Sequence, residues 1–242
     1  MRKICSILMA VLLFIIPMKA LFQESGADNL FISEKNTDIY AAASQNKAIV
    51  GYYAGWAAYR GYTPDKIPAH KLSQINYAFA KIDKDTYKIT LADPATDKKN
   101  FAALRTLKKS YPNLRILISV GGWDYSDQFS VTASTKENRD AFAQSCADFI
   151  SEHRLDGIDL DWEYPVSGGL SGNGNRPEDK ENFTLLLAAV REKLNALEKK
   201  DGRKYDLTIA GAASRDYLKK IEPVKVAALV DHIFIMAYDM HG

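Results

Sequence analysis

Cysteine is nearly absent: Cys5 and Cys146 are the only two in 242 residues. Cys5 lies in a short N-terminal apolar stretch, so cleavage there would leave Cys146 alone and exclude an internal disulfide framework. Cys146 falls on the apolar side of a predicted helix and reads as a small core residue, not a nucleophile. An excess of one charge is lacking too. The chain has 32 basic against 30 acidic residues, a formal charge of +2, and the basic ones are dispersed, which leaves no footprint for nucleic acid. His70, His153, His232 and His241 show no ligand spacing, so no metal is expected. The first strand-like run is followed by AGWAAYRGYTP, which lacks the G-x-G-x-x-G of a dinucleotide cradle, and no cofactor is expected. The apolar stretch at 4–16 is shorter than the roughly 20 residues a spanning helix needs. With Arg2 and Lys3 before it and Pro17 after it, residues 1–20 read as a secretory signal cut near Ala20. The mature protein is then expected to be extracellular with no membrane anchor.

What is present is a globular composition, 47% hydrophobic and 26% charged, with room for one large core. Residues 21–46 are polar and lack sustained periodicity, which predicts a linker, and the folded domain is expected over 47–242. Apolar β-type runs at 48–53, 75–80, 115–123, 157–163, 207–213 and 233–239 alternate with helical patterns, the signature of a parallel sheet with crossover helices. Phe142, Cys146, Phe149 and Ile150 repeat at helical intervals after Ser134 and Glu137, which have capping-box spacing. Residues 181–199 and 100–111 show the same apolar stripe. The glycine- and asparagine-rich loop at 165–177 follows the fourth strand directly, where α/β enzymes build their sites. An open doubly wound sheet and a closed eightfold barrel both fit repeated βα units. Acids within and at the C-terminal end of a strand favour the barrel.

Those acids stand in DGIDLDWEYP at 156–165. Asp159, Asp161 and Glu163 occupy alternate positions, so a strand would turn them to one face, roughly 6 to 7 Å apart at Cα. Like charges so close resist full ionisation. The pattern suits either a solvated polar face or a site that keeps one acid protonated. Asp156 shares its parity with Ile158 and reads as structural, and Trp162 should point outward and pack under a helix.

D-G-I-D-L-D-W-E at 156–163 resembles the D-G-x-D-x-D-x-E signature of family-18 glycoside hydrolases, the chitinases. S-V-G-G at 119–122 is similar to S-x-G-G on the preceding strand, and M-A-Y-D at 236–239 to M-x-Y-D, so the resemblance covers about 47–242. It implies a TIM (β/α)8 barrel, here incomplete with about six of eight strands, and hydrolysis of β-1,4-linked N-acetylglucosamine polymers. Spacing bears on the mechanism independently. Asp161 and Glu163 share one strand face, so they approach a sugar from one side, whereas the usual two-carboxylate route needs groups on opposite sides of the bond. The family's substrate-assisted route, in which the 2-acetamido carbonyl is the nucleophile, meets that constraint. The resemblance implies that Glu163 is the acid and base, that Asp161 holds the acetamido N–H, and that Asp159 shares a proton with Asp161. It further implies that Tyr238 holds the acetamido oxygen. Substrate contacts or their supports would come from Asp239, Met236, Tyr52, Ser119, Trp123, Phe79, Gly121 and Gly122, with Trp56 a weaker candidate. The resemblance also implies further strands in a longer parent, and edges left open in this chain would make it marginal or prone to associate. Other readings are a non-hydrolytic carbohydrate binder, an inactive fragment, an endo-N-acetylglucosaminidase and a cell-wall hydrolase.

Overall fold

The computed structural model describes residues 47–239, so the expected signal, the linker, Cys5 and His241 lie outside the described residues. Seven strands form one sheet: β1 (Val50–Ala54), β2 (Gln74–Ile82), β3 (Ile89–Leu91), β4 (Arg115–Gly121), β5 (Gly157–Asp161), β6 (Asp206–Ala212) and β7 (His232–Met236). Six run parallel in the order β1-β2-β4-β5-β6-β7, and β3 pairs antiparallel with β2 off that path. This is an incomplete (β/α)-type barrel with open topology. All six parallel strands coincide with the runs read from alternation. The short β3 does not, because three residues carry too little periodicity to stand out.

Between strands run α1 (Pro94–Ser110), α2 (Phe129–Ser134), α3 (Lys136–His153), α4 (Asp179–Asp201), α5 (Arg215–Lys219) and α6 (Pro223–Leu229). α1 starts six residues before its apolar stripe suggested, because Asp93 caps it by accepting from Ala95 N and Thr96 N, with Pro94 in the first turn. The expected capping box is corrected. Ser134 ends α2 and donates to Val131 O, while Thr135, in extended backbone, caps α3 by accepting from Asn138 N. Three strands also stop two or more residues short of the expected ends, at Gly121, Asp161 and Met236, and β6 stops one short, at Ala212. At Gly121 and Gly122, φ values of 104° and 75° turn the chain off the ladder, and β5, paired with β4 as far as Gly121↔Asp161, ends there too.

Alternation divides the strands between two cores. Ile116, Ile118, Val120, Ile158, Leu160, Leu207 and Ile209 face the helices and join Phe101, Phe142, Phe183 and Leu187 in the main apolar cluster. Trp162, 2% exposed, lies in that layer, stacked on Phe129 at 5.3 Å and edge-on to Phe183 at 5.5 Å. Asn76, Ser119, Asp159 and Thr208 occupy the other face and are fully buried, beside Leu117, Ala210 and Phe234, so the inner core mixes polar and apolar side chains. The sheet curls around it. β1 lies three strands from β5 in the order, yet Tyr52 Oη reaches Asp159 at 2.9 Å. The ring of Tyr52 also meets Phe234 of β7 at 6.0 Å, which brings the two ends of the sheet together across the interior.

Candidate active site

Register puts Ser119, Asp159 and Thr208 side by side on three adjacent strands. Since all three point inward, the two hydroxyls must flank the carboxylate. Ser119 Oγ donates to Asp159 Oδ2 at 2.7 Å, Thr208 Oγ1 to Oδ1 at 2.6 Å, and Tyr52 Oη adds a third bond from across the barrel. Burial pushes the Asp159 carboxyl above its ordinary range, and these three donors pull it back by favouring the ionised form.

Two residues on, Asp161 has no such support. It is 4% exposed, and its Oδ1 is buried without a hydrogen-bond partner. Burial first, then the charges of Glu163 and Asp159, hold it well above the usual carboxylate range. Glu163 lies beyond the end of β5 and is 9% exposed. Burial raises it, Tyr164 works against the shift through a hydrogen bond, and Asp239 and Asp124 add to it. Removal from water therefore comes first for both groups; the other acids of the motif add to it at Asp161, whereas Asp239 and Asp124 add to it at Glu163.

A cavity of about 220 Å³ opens over Asp161, lined by Tyr52, Trp56, Phe79, Met236 and Tyr238 together with Ala210 and Phe234. The Tyr238 phenol is pushed up to about 12 by burial and by the charges of Asp161 and Glu163. A second cavity of about 490 Å³ shares Trp56, Ala78 and Phe79 with the first and continues past Tyr59, Trp123 and Asp124. The two form one groove with an aromatic rim, since Trp56, Tyr59 and Trp123 are 51%, 67% and 49% exposed. The rim is held from behind. Asn100 Nδ2 donates to Gly55 O at 3.1 Å and to Tyr77 Oη, which itself donates to Asp97 at 2.5 Å.

The paired glycines serve close approach. A Cβ on Gly121 would stand 2.3 Å from Asp161 O, and one on Gly122 would stand 2.6 Å from the Phe79 ring. Of the residues singled out in the sequence, Tyr52, Phe79, Asp161, Met236 and Tyr238 meet at the first cavity, with Trp56 beside them. Asp159 and Ser119 sit beneath it, Trp123 lines the second cavity, and Asp239 is exposed after β7. Asp156 lies elsewhere, at the start of β5, paired with Lys108 and Arg203.

Thr208, Ser126 and Asn173 escaped the sequence reading. Thr208 and Asn76 carry a usable signal, a polar residue at an inward position of an apolar strand. Ser126 and Asn173 sit in loops and carry none.

Residues 48–242 match the family described as Glycosyl hydrolases family 18. Chitinase A1 of Niallia circulans is 44% identical over 246 residues, which cover 84% of this chain and 35% of that protein. Chitinase A of Pseudoalteromonas piscicida is 32% identical over 232 residues, covering 79% and 28%. This chain thus spans about a third of the length of these relatives. A solved chitinase from Bacillus thuringiensis superposes with a TM-score of 0.76 at 36% identity, covering 80% of this chain and 40% of its own. A family 18 N-acetylglucosaminidase from Paenibacillus barengoltzii gives 0.70 at 38% identity, covering 81% and 55%.

Proposed function

The chain belongs to glycosyl hydrolase family 18, and from that premise we propose that it hydrolyses β-1,4-linked N-acetylglucosamine polymers by a substrate-assisted, retaining route. The observation that carries this reading is Asp161 Oδ1, a buried acceptor left without a partner at the wall of a largely apolar cavity. An unpaired buried polar atom is unfavourable unless a ligand satisfies it. An acetamido group suits the site: its N–H meets Asp161, its methyl meets Trp56, Phe79 and Met236, and its oxygen meets the Tyr238 hydroxyl.

Glu163, whose carboxyl burial raises above its ordinary range, gives its proton to the leaving glycosidic oxygen. The acetamido oxygen closes on the anomeric carbon as that bond breaks, forming an oxazolinium ring whose positive charge Asp161 faces as it passes its own proton toward Asp159. Glu163, now ionised, takes a proton from the incoming water, which opens the ring from the face the leaving group vacated and returns the original configuration. Asp159 and its three hydroxyls hold the charge balance behind Asp161. The aromatic rim along the second cavity supports a chain of sugars as substrate, since exposed ring faces stack on the apolar faces of pyranoses. We place the protein outside the cell, on the pattern of residues 1–20. Among the described residues no helix is long and apolar enough to cross a membrane.

The test is hydrolysis of a chitin tetrasaccharide by the full chain beside Glu163→Gln, with product anomers read by NMR and near-UV circular dichroism confirming packing. The expected result is β-anomer first from the wild type and a loss on the order of 10²–10⁴ in the variant. Unchanged turnover in Glu163→Gln, or an α-anomer first, overturns the reading.

A further inference from the structure

Strand β5 ends at Asp161, so the main chain of Glu163 has left the ladder that fixes Asp159 and Asp161. Both of its backbone polar groups are nonetheless taken by side chains. Glu163 N–H donates to Ser126 Oγ at 2.9 Å. That hydroxyl donates in turn toward Gly122 O at 2.8 Å and Asp161 O at 3.1 Å, and Ser126 is fully buried. On the other side, Asn173 Nδ2 donates to Glu163 O at 3.0 Å. The loop comes close enough for this because Gly169, at φ 79°, carries no Cβ; one built there would lie 2.0 Å from Glu163 O. The loop is anchored from behind. Buried Asp179 accepts from Arg176 N at 2.8 Å and from Ser130 Oγ at 2.8 Å, and Arg176 Nη1 donates to Ser130 Oγ at 2.6 Å.

We propose that Ser126 and Asn173 are positioning residues that clamp the backbone of Glu163 from two separate loops, and so set where its carboxyl stands relative to Asp161. Neither touches the bound sugar in this account; they act through Glu163. The clamp replaces a missing stretch of ladder. A backbone N–H or C=O buried without a partner is unfavourable, so removal of either side chain lets residue 163 turn to find another. Displacement of a reacting group by about 1 Å can lower turnover on the order of a hundredfold. The effect on rate rests on the hydrolytic reading above; the clamp itself does not.

Two readouts on the full chain separate these. Amide hydrogen exchange followed by NMR reports the clamp without turnover. Glu163 N–H is expected to be protected in the wild type and to lose protection in Ser126→Ala, while Ile158 and Leu160 on β5 keep theirs. Steady-state hydrolysis of chitin tetrasaccharide reports the consequence. In Ser126→Ala and in Asn173→Leu, kcat is expected to fall about tenfold or more with KM within about twofold. Asn173→Leu is close in size and removes the donor without adding charge, so a space-filling role predicts no change there, and it serves if Ser126→Ala does not fold. A Glu163 amide that exchanges freely in the wild type overturns the clamp. So does kcat unchanged in both folded variants of an active chain. A wild type that shows the protection and hydrolyses nothing overturns the hydrolytic reading for this chain and leaves the clamp standing.

Discussion

Asp231 and Asp161 stand at opposite ends of the same six strands and receive opposite treatment. At the N-terminal end, three carboxylates beside the starts of strands each meet a cation, and two of them also meet a neighbouring backbone N–H. Asp231, just before β7, accepts from Arg191 Nη2 at 2.5 Å and from Leu207 N at 2.9 Å. Asp206 opens β6 on Arg115 at 2.6 Å, and Asp156, before β5, takes Lys108, Arg203 and Ile116 N. At the C-terminal end, Asp159 has hydroxyl donors, and the charges bearing on Asp161 are those of Glu163 and Asp159. Burial pushes Asp231 up, but Leu207 N–H and Arg191 outweigh it and the group ends below its ordinary value of 3.8. Asp161 ends well above the same value. Asp206 at the N-terminal end is raised as well, because burial outweighs Arg115, yet it has a cation to face; Asp161 has an unpartnered buried oxygen and neighbouring acids instead, an arrangement that the substrate proposed above would relieve.

The sharpest break in that contrast is Asp161→Asn, for which turnover is expected to fall on the order of a hundredfold or more, while thermal stability rises. The sign follows from linkage. A carboxyl raised in the folded state binds its proton more tightly there than in the unfolded chain, so folding loses free energy as pH climbs from 3.8 toward the raised value. Asparagine does not titrate. Melting curves across pH 3 to 8, roughly the range in which carboxyls ionise, should show the variant's advantage growing with pH and levelling off once the wild-type carboxyl is ionised. A variant less stable than wild type at neutral pH would mean that Asp161 is compensated after all.

At the other end, Asp156→Ala removes the acceptor of Ile116 N–H along with two ion pairs, and a loss of about 2 kcal/mol is expected from urea unfolding with turnover unchanged. Asp231→Asn reverses the pH pattern of Asp161→Asn. A carboxyl lowered in the folded state adds stability above its unfolded value, and that stability is lost as pH falls through the folded value. The deficit of the variant, about 1 kcal/mol after allowance for the partial exposure of Asp231, should therefore be present at neutral pH and vanish in acid.

Much of this contrast was legible in residue order, and what was not has a common cause. Alternation in GIDLD is a local property, so it announced that Asp159 and Asp161 share a face, and the same parity sent Trp162 outward against Phe129 and Phe183. It could not announce that Thr208 would supply a donor to Asp159. That depends on the register Asp159↔Thr208 between strands almost fifty residues apart. Ser126 and Asn173 are further from legibility, since they lie in loops with no period and meet Glu163 only once β4 and β5 have ended. Crowding of acids suggested mutual repulsion at Glu163, but burial comes first in its shift, and burial is a sum over the whole fold. The short β3, α2, α5 and α6 were missed because a few residues hold less than two turns or one ladder step of pattern.

The smallest expected effect tests whether the N-terminal end owes its stability to each cation or to the set. Arg203 bonds Asp156 Oδ1 at 2.9 Å and lies over the Tyr205 ring at 5.2 Å, with its side chain 44% exposed. In Arg203→Ala, Asp156 keeps Lys108 and Ile116 N–H, and water reaches the vacated oxygen. An exposed pair contributes about 0 to 1 kcal/mol, so a loss near the middle of that range is expected, shrinking further at high salt as screening replaces the pair. A loss as large as that of Asp156→Ala would show that Arg203 is indispensable to the set. Compensation at Asp156 would then rest on one partly exposed cation and not on the set, and the loss of that one side chain would bring it to the condition of Asp161.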